Sequence, residues 1–219
     1  MLNVDADGPR GGEVVLYGHW ICPYSVRVEF DLVRLGRPHR IVEVPPSGVR
    51  PAGFALPAAF VAHSPRLEIP MIHDADGFLA DSLPILDRLD PGATAEARQM
   101  ARTVDAMAFP PMIGVYYAAS DAEASVASLR LEAALAEVSS LLGHGGWLCP
   151  EGPSMAESAL VPLYVRLDGL RRLGFDADLP DPVARHAEAC LSLEAGQAVA
   201  WTLTQTDEFV ERLARRRQG

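Results

Sequence analysis

A cysteine followed by proline separates a strand-like segment from a helix-like segment near the start of the chain. Residues 14–18 read Val-Val-Leu-Tyr-Gly, which is typical of a short buried strand. Pro23 suits the first position of a helix, because its missing N–H has no partner to lose there. Cys22 is then predicted to be the N-cap, beside the positive end of the helix dipole, which stabilises the reactive thiolate. The pattern predicts a nucleophilic Cys22.

The alternative for Cys22 is a buried structural role, since cysteine is among the most buried residue types. Ser25 stands where a dithiol redox motif would place its second cysteine. No nearby thiol is therefore available to resolve a mixed disulfide on Cys22, and a small thiol from solution is the expected resolving agent. Cys149 and Cys190 lie in the later, helix-rich part of the chain and are expected to be structural.

The charge and the cysteine content of the chain limit the kinds of partner it can bind and the cellular compartment in which it is expected. The 219 residues carry a formal net charge of −10 at pH 7. This charge argues against nucleic acid as a partner, because phosphate backbones need a basic face. Three cysteines without metal-ligand spacing argue against a disulfide framework and a metal site, and favour a reducing cytosol. No signal-peptide pattern and no apolar run of about 18 residues is visible, so a cytoplasmic protein off the membrane is expected.

The order of strand-like and helix-like segments predicts two domains. Up to residue 90 the order is β-α-β-α-β-β-α, and Ser82 opens the last of these helices. From residue 94 onward, long stretches rich in Ala, Leu, Arg and Glu carry helical periodicity with almost no strand signal. The predicted parts are a flexible tail over residues 1–12, an α/β domain over residues 13–90 and an all-α domain over residues 94–219.

Taken together, these motifs resemble the cytosolic glutathione transferase family over nearly the whole chain. The resemblance is carried by Leu16-Tyr17, Cys22-Pro23-Tyr24-Ser25, Ile69-Pro70, residues 77–85, residues 154–159 and residues 164–167. A cysteine in the Cys-Pro-aromatic position is most similar to the omega class and related bacterial members, which use cysteine. The resemblance implies a thioredoxin-like first domain, glutathione as co-substrate, and a homodimer in which the first domain of one subunit packs against the helical domain of the other.

The resemblance also implies where glutathione binds. It implies a cis peptide at Ile69-Pro70, with the backbone of Ile69 pairing with the cysteinyl part of glutathione and Tyr24 lying close by. It assigns the γ-glutamyl group to Asp81 and Ser82, and the residue types suit this role. The free N–H groups of a helix start bind an anion, and a carboxylate binds an ammonium group. The alternatives are an ordinary strand-opening proline and a simple helix cap.

Two segments of the helical part have both a structural and a functional interpretation. Met107, Met112 and Tyr116 lie at intervals of about one turn on the first long helix. By the resemblance they line a pocket for the second substrate, and the alternative is an ordinary domain core. Ser154 and Glu157 form a capping box ahead of an apolar run, and this motif is expected to be structural.

One basic residue expected from the resemblance is absent. The family often has a basic residue just before the stretch that matches residues 57–60, where it meets the glycine carboxylate of glutathione. This chain has Leu56 there, and Glu68 precedes Ile69. The candidates to replace the missing base are Arg50, His63 and Arg66.

The leading hypothesis is a glutathione-dependent thiol transferase or reductase. The Cys22 thiolate attacks a glutathionylated substrate, becomes a mixed disulfide with glutathione, and is released by a second glutathione. Reduction of a small oxidant such as dehydroascorbate fits the same cycle. One alternative is glutathione conjugation or isomerisation of a small electrophile, with Tyr17, Tyr24 or Ser25 activating the bound thiol. The other is a non-catalytic binding module with the same fold.

Overall fold

The computed structural model describes residues 9–217, and the chain divides into two compact units between Gly92 and Ala93. Most of the predicted tail, residues 1–12, lies outside the described residues. Across residues 9–217, no helix combines the length and the apolar character needed to cross a membrane. The two units are described separately below.

A four-stranded mixed sheet forms the centre of the first unit. Its strands are β1 (Val14–Gly18), β2 (His39–Glu43), β3 (Met71–Asp74) and β4 (Gly77–Ala80), in the order β2-β1-β3-β4. β1 is parallel to β2 and antiparallel to β3, and β4 is antiparallel to β3. Every residue of β1 is buried, as expected for a continuous apolar strand in the middle of a covered sheet.

Three helices and a short 3-10 turn complete the first unit. They are α1 (Pro23–Arg34), the turn Ser47–Val49, α2 (Ala58–His63) and α3 (Ser82–Leu89). The predicted order β-α-β-α-β-β-α is confirmed. β3 begins at Met71, directly after Pro70, which has no N–H to donate to a strand ladder.

The second unit is helical throughout its described part, as predicted. Its helices are α4 (Ala95–Tyr117), α5 (Asp121–Leu141), α6 (Met155–Arg172), α7 (Asp181–Ser192), α8 (Glu194–Val199) and α9 (Leu203–Arg217). α4 packs against both α5 and α6. The side chains of Thr94, Ser120 and Ser154 accept backbone N–H groups at the starts of α4, α5 and α6. The sequence did not predict α8, whose six residues begin without a side-chain cap.

Candidate active site

Cys22 is the N-cap of α1, as predicted. Its backbone is extended, and its carbonyl oxygen accepts the N–H groups of Ser25 at 3.1 Å and Val26 at 3.0 Å. Pro23 follows at the start of the helix. The Cys22 side chain makes no capping hydrogen bond, although the residue is only 5% exposed. The thiol therefore lies at the positive end of α1 and makes no capping hydrogen bond. The role of Cys22 as a nucleophile stays a prediction.

The Cys22 thiol lies beside the loop that precedes β3. The Ile69–Pro70 peptide bond is cis, as the resemblance implied. The carbonyl oxygen of Ile69 accepts a long hydrogen bond from Cys22 Sγ, at 3.9 Å. Ile69 is half-buried and Pro70 is buried. The fold thus brings together two predicted site segments that are far apart in the sequence.

Asp81 and Ser82 begin α3. Asp81 is the N-cap, with φ +77° and no capping hydrogen bond from its side chain. Ser82 is the first helical residue, so within the pair Asp81 and not Ser82 holds the N-cap position. The Ser82 hydroxyl oxygen accepts a hydrogen bond from Arg27 Nη1 at 3.4 Å. The first-turn N–H groups of α3 consequently receive no side-chain cap from Asp81, and such groups are suited to an anion.

Sequence reasoning missed Arg27. This arginine of α1 is 0% exposed, and its Cζ atom lies 5.3 Å from the centroid of the half-buried Tyr24 ring. It reaches from the helix that carries Cys22 to the first residue of α3. The available signal was its position between Val26 and Val28, two apolar residues on either side of a charged one.

The Asp81 carboxylate is paired on the surface. Arg66 Nη2 lies 3.2 Å from Asp81 Oδ1, and Arg66 Nε lies 2.7 Å from Glu68 Oε2. All three side chains are more than half exposed, at 65% for Arg66, 57% for Glu68 and 62% for Asp81. Exposed ion pairs of this kind are weak, because solvent screens both charges. Arg66 is therefore easily exchanged for another cation at Asp81.

The other candidates for the missing base also have protein partners. Arg50 donates to the carbonyl oxygens of Pro45 and Leu67, at 3.0 and 3.1 Å, and so ties two loop segments together. The His63 ring stacks on Phe78 with a centroid distance of 3.8 Å. Leu56, at the expected position of the base, packs against the core of the first unit. These contacts give none of the three residues the role of the missing base that binds the glycine carboxylate of glutathione.

The predicted second-substrate residues lie on α4. Met112 is 0% exposed, Tyr116 is 4% exposed and Met107 is half-buried. The Tyr116 ring packs edge-on against Phe209 of α9, with a centroid distance of 5.4 Å. These contacts favour the alternative of a domain core for Tyr116. The pocket itself stays a prediction.

The capping box at the start of α6 is present and extends into a buried network. Glu157 is 0% exposed, and its Oε2 accepts the Ser154 N–H at 2.7 Å while its Oε1 accepts the Leu148 N–H at 2.8 Å. Its Oε1 also lies 3.5 Å from His186 Nε2. Burial raises the pKa of the Glu157 carboxyl, but hydrogen bonds from His186, Leu148 and Ser154 outweigh it and lower the pKa overall. The carboxylate is the form that the network requires.

The two remaining cysteines are buried in the second unit. Cys190 is 0% exposed, with its Sγ 3.5 Å from His186 Nε2, and Cys149 is 3% exposed, with its Sγ 3.5 Å from Ser154 Oγ. Burial raises the pKa of both thiols. These environments favour the protonated, unreactive thiol. Among the residues described, no three His, Cys, Asp or Glu side chains form a group that could hold a metal ion.

Comparison with known families and structures agrees with this geometry. Residues 21–91 match the family described as glutathione S-transferase, N-terminal domain. The fold is similar to that of glutathione transferase Omega 3C from Trametes versicolor, with a TM-score of 0.76 and 18% identity over 98% of this chain and 95% of that one. Rice GST1, solved in complex with glutathione, gives a TM-score of 0.75 and 16% identity over 94% of this chain and 96% of that one.

A bacterial protein also has this fold. A glutathione transferase family member from Pseudomonas fluorescens, solved with two glutathione bound, gives a TM-score of 0.68 and 19% identity over 85% of this chain and 91% of that one. Comparison with curated protein sequences gives no significant match. By sequence, residues 21–91 are similar to a glutathione S-transferase N-terminal domain, and the fold of the chain is similar to that of glutathione transferases.

Proposed function

We propose that the chain is a glutathione-dependent thiol transferase in which Cys22 forms a mixed disulfide with glutathione. The observation that carries the proposal is the position of Cys22, uncapped at the N-terminus of α1 with its Sγ 3.9 Å from the Ile69 carbonyl oxygen. The family and the fold support glutathione as the co-substrate, and two proteins of similar fold are described with glutathione bound. The cycle belongs in a reducing cytoplasm, where glutathione is abundant.

Two thiol–disulfide exchanges make up the proposed cycle. The Cys22 thiolate attacks the glutathionyl sulfur of a small mixed disulfide, the substrate thiolate leaves, and Cys22 is left bonded to glutathione. The thiolate of a second glutathione then attacks the glutathionyl sulfur, which releases Cys22 as thiolate and forms oxidised glutathione. The substrate thiolate takes one proton and leaves as the free thiol. The incoming glutathione is oxidised and leaves joined to the substrate's former glutathionyl group as oxidised glutathione.

Glutathione is proposed to bind at the loop around Ile69, beside Cys22, and at the start of α3. The cysteinyl backbone of glutathione pairs with Ile69 beside Pro70, which places its sulfur next to Cys22. The γ-glutamyl carboxylate accepts from the Ser82 hydroxyl and the first-turn N–H groups of α3. The γ-glutamyl ammonium takes the place of Arg66 at Asp81, and Tyr24 lies against the bound thiol.

Glutathione conjugation to a small electrophile is the second candidate function. It needs a hydroxyl group that reaches the bound thiol. Of the three hydroxyl groups proposed for it, those of Tyr17 and Ser25 belong to residues that are 1% and 2% exposed, whereas Tyr24 is only half-buried. Tyr24 is therefore the residue that favours this candidate. In either reaction, the half-buried Met107 is the predicted pocket residue proposed to contact the second substrate, because Met112 and Tyr116 are buried.

The chain is also proposed to form a homodimer, as its resemblance to glutathione transferases implies. Exposed apolar side chains on α4 and α5 support an apolar contact surface: Tyr117 is 44%, Val126 50% and Leu129 66% exposed. Light scattering at micromolar concentration is expected to give about twice the chain mass of 23.6 kDa. A mass equal to that of one chain would refute the dimer without affecting the proposed chemistry.

Intact-protein mass spectrometry after incubation with oxidised glutathione tests the proposed function. One glutathionyl group is expected on the wild type and on a Cys149→Ser, Cys190→Ser control, and none on Cys22→Ser. Reduced glutathione should then remove the adduct. The absence of an adduct on the wild type, or an adduct that persists in Cys22→Ser, would reject the mixed-disulfide mechanism.

A further inference from the structure

The buried Arg27 of α1 contacts Ser82, the residue proposed to bind the γ-glutamyl carboxylate. We infer that Arg27 is a positioning residue that turns the Ser82 hydroxyl into a donor for the α-carboxylate of a γ-glutamyl thiol. This inference rests on the proposed function and deepens it. Arg27 does not touch the ligand. Through Ser82, it makes the site prefer a ligand that carries this carboxylate over one that lacks it.

The hydrogen bond between the two residues has a fixed direction. Arg27 Nη1 lies 3.4 Å from Ser82 Oγ, with Arg27 0% and Ser82 7% exposed. A guanidinium carries N–H donors and no acceptor, so the serine oxygen can only accept in this pair. The single Ser82 hydroxyl proton is then left to be donated elsewhere.

The surroundings of Ser82 favour an anion as the acceptor of that proton. Ser82 is the first residue of α3, and the backbone groups unsatisfied at a helix start are N–H donors, which cannot accept a proton. The Asp81 side chain does not cap these N–H groups. The hydroxyl and the N–H groups therefore form a set of donors at one helix end, and a carboxylate satisfies several of them together.

The charge of Arg27 strengthens this preference. A guanidinium that is fully removed from solvent acts on nearby groups through a medium of low dielectric constant, where electrostatic interactions are stronger than in water. A negative ligand group at Ser82 is stabilised by that charge, and a positive one is opposed. Lysine keeps the charge but lacks the planar set of donors that suits a buried arginine, so Arg27→Lys should retain only part of the effect.

Arg27 also couples this end of the site to the nucleophile. It lies on α1, the helix whose N-cap is Cys22, and it contacts the first residue of α3. One side chain thus connects the helix that presents the thiol with the helix that presents the donors.

Two ligands that differ only in the α-carboxylate test the inference. The first is S-methylglutathione, and the second is its analogue with a 4-aminobutanoyl group in place of γ-glutamyl, which keeps the amine. By titration calorimetry, the wild type is expected to prefer S-methylglutathione by roughly tenfold or more, the value of one charge-assisted hydrogen bond. In Arg27→Met this preference should fall several-fold, and in Arg27→Lys it should fall less.

A control and a second variant separate positioning from folding. Arg34, also on α1, pairs with Asp31 and Asp90, so Arg34→Lys should leave the ligand preference unchanged. Ser82→Ala should lower the preference as Arg27→Met does, and the double variant should lower it no further, because both changes act on one hydroxyl. If Arg27→Met does not fold, the ligand preference is compared between the wild type, Arg27→Lys and Ser82→Ala instead.

The outcomes distinguish this inference from the function beneath it. If Arg27→Met and Arg27→Lys weaken both ligands equally and leave the preference intact, Arg27 is only structural and the inference is wrong. Additive losses in the double variant would also reject it. If the wild type binds neither ligand, the proposed glutathione site is rejected, and the inference with it.

Discussion

The thiol of Cys22 lies 3.9 Å from the carbonyl oxygen of Ile69, and this contact joins two segments separated by 47 residues. In the proposed binding mode, a peptide-like ligand pairs with the backbone at Ile69, and its sulfur comes to the N-terminus of α1, where a thiolate is stabilised. The contact gives the proposed mixed disulfide a geometric basis that neither segment supplies alone.

We expect Cys22→Ser to abolish thiol transfer while affinity for S-methylglutathione changes less than a few-fold. The binding groups proposed at Ile69, Asp81 and Ser82 do not use the Cys22 sulfur. A thiol-transferase assay coupled to glutathione reductase, with calorimetry on the same preparation, measures both quantities. If thiol transfer survives in the variant, Cys22 is not the nucleophile. If conjugation of an electrophile survives or rises, the second candidate function is favoured.

Cys22 is expected to be alkylated by iodoacetamide in the folded protein much faster than Cys149 and Cys190. All three cysteines are buried, but Cys22 is at the N-terminus of α1, where a thiolate is stabilised. Burial instead raises the pKa of the Cys149 and Cys190 thiols, so little of their thiolate is present at neutral pH. Peptide mass spectrometry after brief labelling near pH 7.5 locates the modified residue. Labelling in urea is the control, because all three thiols should then react alike. Equal labelling in the folded state would show that the N-terminus of α1 does not activate Cys22.

Periodicity and turn residues were sufficient to predict the element order of the first unit and the placement of Cys22 as an N-cap. They could not show that Asp81 takes the N-cap of α3, because Asp-Ser allows either residue to be the cap. Arg27 was missed for a different reason. Its meaning depends on the hydrogen bond to Ser82, a residue 55 positions away, and local patterns carry no information on such contacts.

The network around His186 shows the same limit of sequence reasoning. The capping box of Ser154 and Glu157 is local and was predicted. Its extension through His186 to Tyr164 joins α6 to α7 and depends on the packing of the two helices. No spacing rule relates these positions, so only the fold could connect them.

Tyr164→Phe is expected to lower the free energy of unfolding by about 1–3 kcal/mol, the cost of leaving a buried polar group unsatisfied. The Tyr164 hydroxyl lies 2.7 Å from His186 Nδ1 in a buried pair. Urea denaturation of both proteins at pH 7.5 measures the difference. Tyr117→Phe, at a ring that is 44% exposed, is the matched control and should change stability by less than about 0.5 kcal/mol. A change of similar size in both variants would show that the buried pair contributes nothing specific.

Glu29→Gln is expected to stabilise the protein at alkaline pH and not at acidic pH. Burial raises the pKa of the Glu29 carboxyl on α1 from 4.5 to about 7 in the folded state. Below pH 4.5 the carboxyl is protonated in both the folded and unfolded states. Between pH 4.5 and 7 the unfolded state loses the proton first, so wild-type stability falls as pH rises, by a total of about 3 kcal/mol relative to the variant.

Urea titrations from pH 4 to 8.5 on the wild type and on Glu29→Gln check the sign and the pH range. Glu43→Gln, which alters an exposed carboxylate on β2, is the control and should give a difference from wild type that does not change with pH. A constant difference for Glu29→Gln as well would show that the Glu29 carboxyl is solvated in the folded protein.

Arg66→Met is expected to tighten the binding of S-methylglutathione, and Asp81→Asn to weaken it. Arg66 occupies Asp81 at 3.2 Å, so the ligand ammonium has to displace it. Because the ion pair is exposed and therefore weak, the gain in affinity should be at most a few-fold. Asparagine suits the φ of +77° at position 81, because Asn is enriched in the left-handed region, so the second variant should lose binding without losing stability.

Calorimetric titration and thermal melts on both variants make this comparison. Because Arg66 is also a candidate to replace the missing base near Leu56, the sign of its effect is informative. A tighter complex in Arg66→Met identifies Arg66 as a competitor for Asp81 in the empty site. A complex weakened tenfold would instead show that Arg66 binds the glycine carboxylate, which would contradict the prediction and supply the base that the sequence lacks at position 56.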